Sequence, residues 1–157
     1  AILALRDAAP PDRRVLDGLE FTEVVSVTRI AGGSADNVVP HFVTCHVNYR
    51  YAPDRAAADA EAHLHELCAA GTLTITSNAP SAPVAVTHPL TQRLVEVGGL
   101  STGPKQAWTP VAEFAAAGVP AINFGPGDPA YAHKRDEQVQ IAALVKSART
   151  LAAFLSD

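Results

Sequence analysis

Aromatic side chains make up 6% of the 157 residues against 48% hydrophobic residues overall. That balance suits a compact α/β protein of one domain or two small ones. No apolar run approaches the roughly 18 residues needed to cross a bilayer. The opening Ala1-Ile2-Leu3-Ala4-Leu5-Arg6-Asp7 lacks a basic leader region and a cleavage site. Neither membrane insertion nor secretion is indicated, and the cytoplasm is the expected compartment. Basic clusters are also missing: the net charge is -4 and the largest group is Arg13-Arg14, which leaves no electrostatic footprint for nucleic acid. Cysteine occurs twice, as Cys45 and Cys68, with no CxxC spacing. Each falls on the apolar face of an expected element, so both read as buried reduced thiols. The first residue is not methionine, and Ala1 to Leu5 read as the tail of a helix whose beginning is missing. The chain is therefore expected to be a portion of a longer protein.

Pro10-Pro11-Asp12 interrupts that helical pattern, and residues 21–30 are rich in strand formers. After a glycine-containing loop over 31–40, Val43, Cys45, Val47, Tyr49 and Tyr51 alternate with Thr44, His46, Asn48 and Arg50. This period of two predicts a strand with one buried and one wet face. Pro53 and Asp54 open a helix with the apolar stripe Ala57, Ala60, Leu64, Leu67 and Cys68, closed by Gly71. Leu73 and Ile75 among threonines predict a further strand. This order is most of a ferredoxin-like layer lacking its first strand. Residues 78–87 read as a linker. Beyond it, helices are expected from Pro89 to about Val97, from Pro110 to Ala117 and from Glu137 to Leu155, with a short buried strand from Pro120 to Phe124. In the last helix Ile141, Leu144, Val145, Ala148, Leu151 and Leu155 form the expected core stripe.

The chemistry concentrates between Pro120 and Glu137. Pro126 and Pro129 fix their own φ and push Gly125 and Asp128 toward extended conformations, while Gly125 and Gly127 permit angles that a Cβ would forbid. A loop restrained in this way can hold His133 in a defined place beside the acidic Asp136 and Glu137. Imidazole is the commonest zinc ligand and a proton carrier near neutral pH, so His133 is the candidate functional residue.

Asn123-Phe124-Gly125-Pro126-Gly127-Asp128-Pro129, followed by Ala132-His133-Lys134-Arg135-Asp136-Glu137, resembles the C-terminal signature of the succinyl-diaminopimelate desuccinylases. These form a branch of the di-zinc aminoacylase and carboxypeptidase family. Two further stretches agree in order and spacing. One is Gly32-Gly33-Ser34-Ala35-Asp36-Asn37-Val38-Val39-Pro40 leading to Val47-Asn48-Tyr49-Arg50-Tyr51-Ala52-Pro53-Asp54-Arg55, and the other is Lys105-Gln106-Ala107-Trp108-Thr109. The resemblance implies an α/β fold in which residues 1–80 are a ferredoxin-like dimerisation domain, N-terminally incomplete. Residues 81–157 would then be the C-terminal part of a zinc-hydrolase catalytic domain.

By the same resemblance His133 is the terminal imidazole ligand of one of two zinc ions, with cobalt as the alternative metal. Asn37 reaches the neighbouring subunit's active site in a homodimer, and Thr109 lines the substrate pocket. From the residues alone, Asn37 reads equally as a turn residue, and Thr109 as an N-cap ahead of Pro110. The implied reaction is hydrolysis of N-succinyl-diaminopimelate to succinate and diaminopimelate. The general base and the other ligands would lie upstream of residue 1, so no catalytic residue is assigned here and the chain alone is expected to be inactive. One departure stands inside the match: Glu113 occupies the place where the related pattern has an arginine for a substrate carboxylate. Two alternatives follow, a deacylase or carboxypeptidase of altered specificity and a dimerising module without catalysis.

Gly99-Leu100-Ser101-Thr102-Gly103 matches the GxSxG nucleophile elbow, with Asp128 and His133 in the order of an α/β-hydrolase triad. An elbow needs a strand before the serine and a helix after it, whereas here a helical pattern precedes and Pro104 follows. His63 and His65 point to different faces of a helix and read as solvated, and His41 and His46 fall on opposite faces of a strand. His88, ahead of Pro89, has no ligand partner nearby in sequence.

Overall fold

The computed structural model describes residues 11–156. The expected helix remnant at Ala1–Leu5 lies outside them. The fold is mixed α/β, with β1 (Asp12–Leu16), β2 (Leu19–Gly32), β3 (Val43–Arg50), α1 (Ala57–Leu67), α2 (Pro89–Gly98), α3 (Val111–Ala116), a 3-10 turn (Pro129–Tyr131) and α4 (Ile141–Leu155). It divides into two compact units. The first runs to Pro83 and includes Gln106–Trp108; the second is Val84–Lys105 with Thr109 onward.

In the first unit the three strands form an antiparallel sheet in the order β1-β2-β3. β1 is an addition to the sequence expectation, which saw only a break at Pro10-Pro11-Asp12. Asp17 and Gly18 both have positive φ, 48° and 79°, and join Leu16 to its partner Leu19. Two central residues of this kind match the twist of a hairpin. β2 outruns β1 and pairs with β3 from Val24↔Arg50 to Gly32↔Val43, with a register shift between Val27 and Arg29. At that bulge the Thr28 hydroxyl donates to the His46 carbonyl at 3.3 Å and lies 2.7 Å from His46 Nδ1. Where β3 ends, the Gln106 side chain takes over the edge of β2. In the orientation that satisfies both groups, its amide donates to the Thr22 carbonyl at 3.2 Å and accepts from the Thr22 N–H at 3.1 Å.

A buried carboxylate ties the sheet to the turn before α1. Glu23, 5% exposed, accepts from Tyr49 Oη at 2.7 Å, from the Ala52 N–H at 3.0 Å, and from Arg55 Nε and Nη2 at 2.8 and 2.7 Å. Asn78 then anchors the segment leading out of the unit: it accepts from Tyr51 Oη at 2.7 Å and donates to the Ala57 carbonyl and to Glu61.

Other expectations are corrected. α1 begins at Ala57, past Pro53 and Asp54. Leu73–Thr76 and Pro120–Phe124 carry no strand, because alternation and β-propensity form a strand only where a partner completes the ladder. Val43 and Cys45 are exposed, and only Val47 and Tyr49 of the alternating set are half-buried among the strand residues. Cys45 is therefore not a buried thiol. His63 is half-buried, with its ring 5.6 Å from that of Tyr49, and so is not merely solvated.

In the second unit α2 begins with His88 as its N-cap, Nδ1 accepting from the Leu90 N–H at 3.3 Å, and ends on Gly99 in the left-handed conformation. This end of a helix is not a nucleophile elbow, since no strand leads to Ser101. α2 packs on α4. The face that α4 turns inward is Ala143, Ser147, Thr150 and Phe154, whereas Ile141, Leu144, Val145, Ala148, Leu151 and Leu155 are exposed. The stripe expected in the core is thus outside it. The small-residue face wins here because α2 approaches closely: a Cβ on Gly98 would lie 2.6 Å from Thr150 Cγ2.

Candidate functional site

The loop after α3 is built as its residues dictate. Asp128 is extended (φ -93°, ψ 121°), as the residue before a proline must be, and caps the 3-10 turn by accepting from the Ala130 N–H at 2.8 Å. Gly127 has φ 93°, and a Cβ there would meet Val139 Cγ2 at 3.1 Å, so glycine suits both the angle and the packing. The turn delivers His133 with φ 60°, a left-handed conformation uncommon outside glycine, although histidine is among the side chains that enter it more readily. What holds it is Glu137, whose Oε2 accepts from the His133 N–H at 3.1 Å. The backbone is committed and the imidazole is exposed, with no hydrogen bond to either ring nitrogen among the described residues.

Thr109 is not the N-cap expected of it. Pro110 occupies that position without a side-chain hydrogen bond. The Thr109 hydroxyl instead accepts from Asn123 Nδ2 at 3.1 Å, which joins the start of α3 to the Asn123–Asp128 stretch that leads to His133. Along the sequence Asn123 stands only as the first residue of the loop signature, with no role of its own. Its polarity at the end of an apolar run was the available signal.

Asn37 belongs to the first unit, in an exposed turn closed by the Val38 N–H donating to the Ala35 carbonyl at 3.3 Å. It has no positive φ, so the backbone does not demand asparagine there. Its side chain makes no hydrogen bond among the described residues. The same unit holds a groove of about 380 Å³ lined by Thr22, Val24, Ser26, Thr28, Asn48, Arg50 and Gln106. Arg50 is the only charged residue of that lining. Neither Arg50 nor the groove was singled out from the sequence, because the cation faces the wet side of the sheet, where a charged residue is ordinary.

Among the described residues no three histidine, cysteine, aspartate or glutamate side chains come together as a metal site. A zinc centre takes three or four protein ligands. An exposed imidazole without a hydrogen bond among the described residues, as at His133, is chemically suited to one ligand position of such a centre.

Residues 13–157 match the model of Peptidase family M20/M25/M40. The chain belongs to this family. Within it, the chain is 39% identical over 142 residues to a putative succinyl-diaminopimelate desuccinylase, DapE, of Mycobacterium tuberculosis, covering 89% of this chain and 40% of that protein. It is 33% identical over 148 residues to the succinyl-diaminopimelate desuccinylase of Corynebacterium glutamicum, covering 90% of this chain and 40% of that one. The M20 chain thus spans about two fifths of the length of the curated relatives it matches. No helix among its described residues is long and apolar enough to cross a membrane.

Proposed function

We propose that this chain is part of a metal-dependent amidohydrolase of the desuccinylase kind, cleaving N-succinyl-diaminopimelate or a close N-acyl amino acid in the cytoplasm. The observation that carries the reading is the loop holding His133 at φ 60° through Glu137, in a chain of the M20 family whose relatives are named desuccinylases. Residues 1–80 serve as the dimerising layer and 81–157 as the end of the catalytic domain. The exposed stripe on α4 then seats the rest of that domain, the part of the relatives' length that this chain does not span.

In this reading His133 presents its imidazole to one zinc ion, with cobalt as a substitute. Bound metal supplies Lewis acidity toward the scissile carbonyl. Thr109 contacts the substrate, and Asn37 does so across a homodimer.

The test is made on the full-length protein. His133→Ala is expected to lower bound zinc, measured by atomic absorption, and to reduce hydrolysis of N-succinyl-diaminopimelate by about 100-fold or more, given that even groups supporting a metal ligand are worth about 10- to 100-fold. Stoichiometric zinc and full activity in that variant would overturn the assignment.

A further inference from the structure

A threonine hydroxyl has one proton to give and two lone pairs to receive with. At Thr109 the structure shows how these are divided. Helix α3 does not use the hydroxyl, since its first turn is started by the backbone: the Thr109 carbonyl accepts from the Ala112 N–H at 3.1 Å, and Pro110 is the cap. Asn123 Nδ2 donates to the hydroxyl oxygen at 3.1 Å. A hydroxyl that receives from an amide N–H aims its own proton elsewhere, and among the described residues nothing accepts it. Thr109 is half-buried, so its surroundings limit the directions in which that proton can point.

From this geometry we infer that Asn123 is a positioning residue that sets the Thr109 hydroxyl as a hydrogen-bond donor toward an acceptor oxygen of the substrate, a carboxylate or an acyl carbonyl. The inference rests on the proposed reading of Thr109 as a substrate contact and extends it to a residue that does not itself touch substrate. It makes an asymmetric prediction. An asparagine at 123 leaves the proton of Thr109 for the ligand, whereas an aspartate of the same shape accepts that proton and removes the donor. Alanine at 123 frees the hydroxyl to rotate and has the smaller effect.

The experiment is steady-state kinetics on the full-length, metal-loaded protein with N-succinyl-diaminopimelate and N-acetyl amino acids, with calorimetric binding of the amino-acid product as a second readout. Asn123→Asp is expected to raise KM about 10-fold with little change in kcat, the signature of lost ground-state contact. Asn123→Ala is expected to raise it about 3-fold, and Thr109→Ser to stay near wild type. In a Thr109→Val background Asn123→Asp should have no further effect, because the two residues act as one unit. Should Asn123→Asp fail to fold, Asn123→Ala in the same two backgrounds carries the test. Active wild type with unchanged Asn123 variants, or with Asn123 effects that multiply with Thr109→Val, overturns the inference alone. Wild type that neither binds nor cleaves these compounds overturns the reading of the site and the inference with it.

Discussion

Glu23 shows how a single side chain is decided by its neighbours. Burial pushes its carboxyl upward, but the hydrogen bonds from Arg55, Ala52 and Tyr49 outweigh burial and hold it at about 2, below the ordinary 4.5. Tyr49 moves the other way, raised by burial and by the carboxylate it donates to. A folded-state value below the unfolded one means that the contribution of Glu23 to stability is complete above about pH 4.5 and is lost as pH falls toward 2. Chemical denaturation between pH 7 and pH 2 should show this loss in wild type and a much flatter profile in Glu23→Gln; parallel profiles would remove Glu23 from the account. Glu113 is a second residue whose role depends on surroundings. It is exposed in the first turn of α3, where a carboxylate is favoured by the helix N-terminus. If it faces the substrate, Glu113→Arg in the full-length enzyme lowers KM for N-succinyl-diaminopimelate by about 3- to 10-fold through exchange of repulsion for attraction. Unchanged kinetics with efficient cleavage would make it a surface residue, with another cation such as Lys105 left to meet the carboxylate.

At the scale of elements, the contact between α2 and α4 rests on a missing side chain. Added carbon at Gly98 meets Thr150 Cγ2 at 2.6 Å and Leu100 Cγ at 2.7 Å, so Gly98→Ala should cost about 1–3 kcal/mol by overpacking, more than the helix-propensity gain of about 1 kcal/mol returns. Removing the opposing methyl with Thr150→Ser should recover part of that loss, and urea denaturation of the two single variants and the pair measures it. A Gly98→Ala protein as stable as wild type would mean that α4 shifts freely. The helix also retains Arg93 over the Phe154 ring at 5.1 Å, with Nη2 donating to the Phe154 carbonyl at 2.9 Å. α4 is thus fastened at its C-terminal end while its apolar stripe stays open. Periodicity located that stripe correctly and assigned it to the wrong side, because a stripe says which face is apolar and nothing about which face meets a given neighbour.

For the whole molecule the question is what completes it. The sheet ends on β3, whose outer side has no strand among the described residues. Ile30, Val39, Phe42 and Val43, at the end where β2 and β3 pair, are 55%, 89%, 61% and 48% exposed. An open edge beside apolar surface favours pairing with another copy. Sedimentation at about tens of micromolar protein, where weak dimers populate, is expected to show a dimer, and well-folded monomer alone would count against it. The sequence by itself determined the α/β class, the strands around Val27 and Val47, and α1, α2 and α4 to within a few residues at their ends. It also determined the restrained loop that carries His133. These are local properties, set by proline, glycine and the periods of side-chain burial. Only the tertiary structure decided which alternating segments became strands, since Leu73–Thr76 alternates as convincingly as β3 yet finds no partner strand among the described residues. Only it placed Asn123 on Thr109, 14 residues away in the chain, and gathered Glu23, Tyr49 and Arg55 into one network. Hydrogen bonds between distant segments depend on where folding brings them, and a pattern read along the chain carries no record of that distance in space.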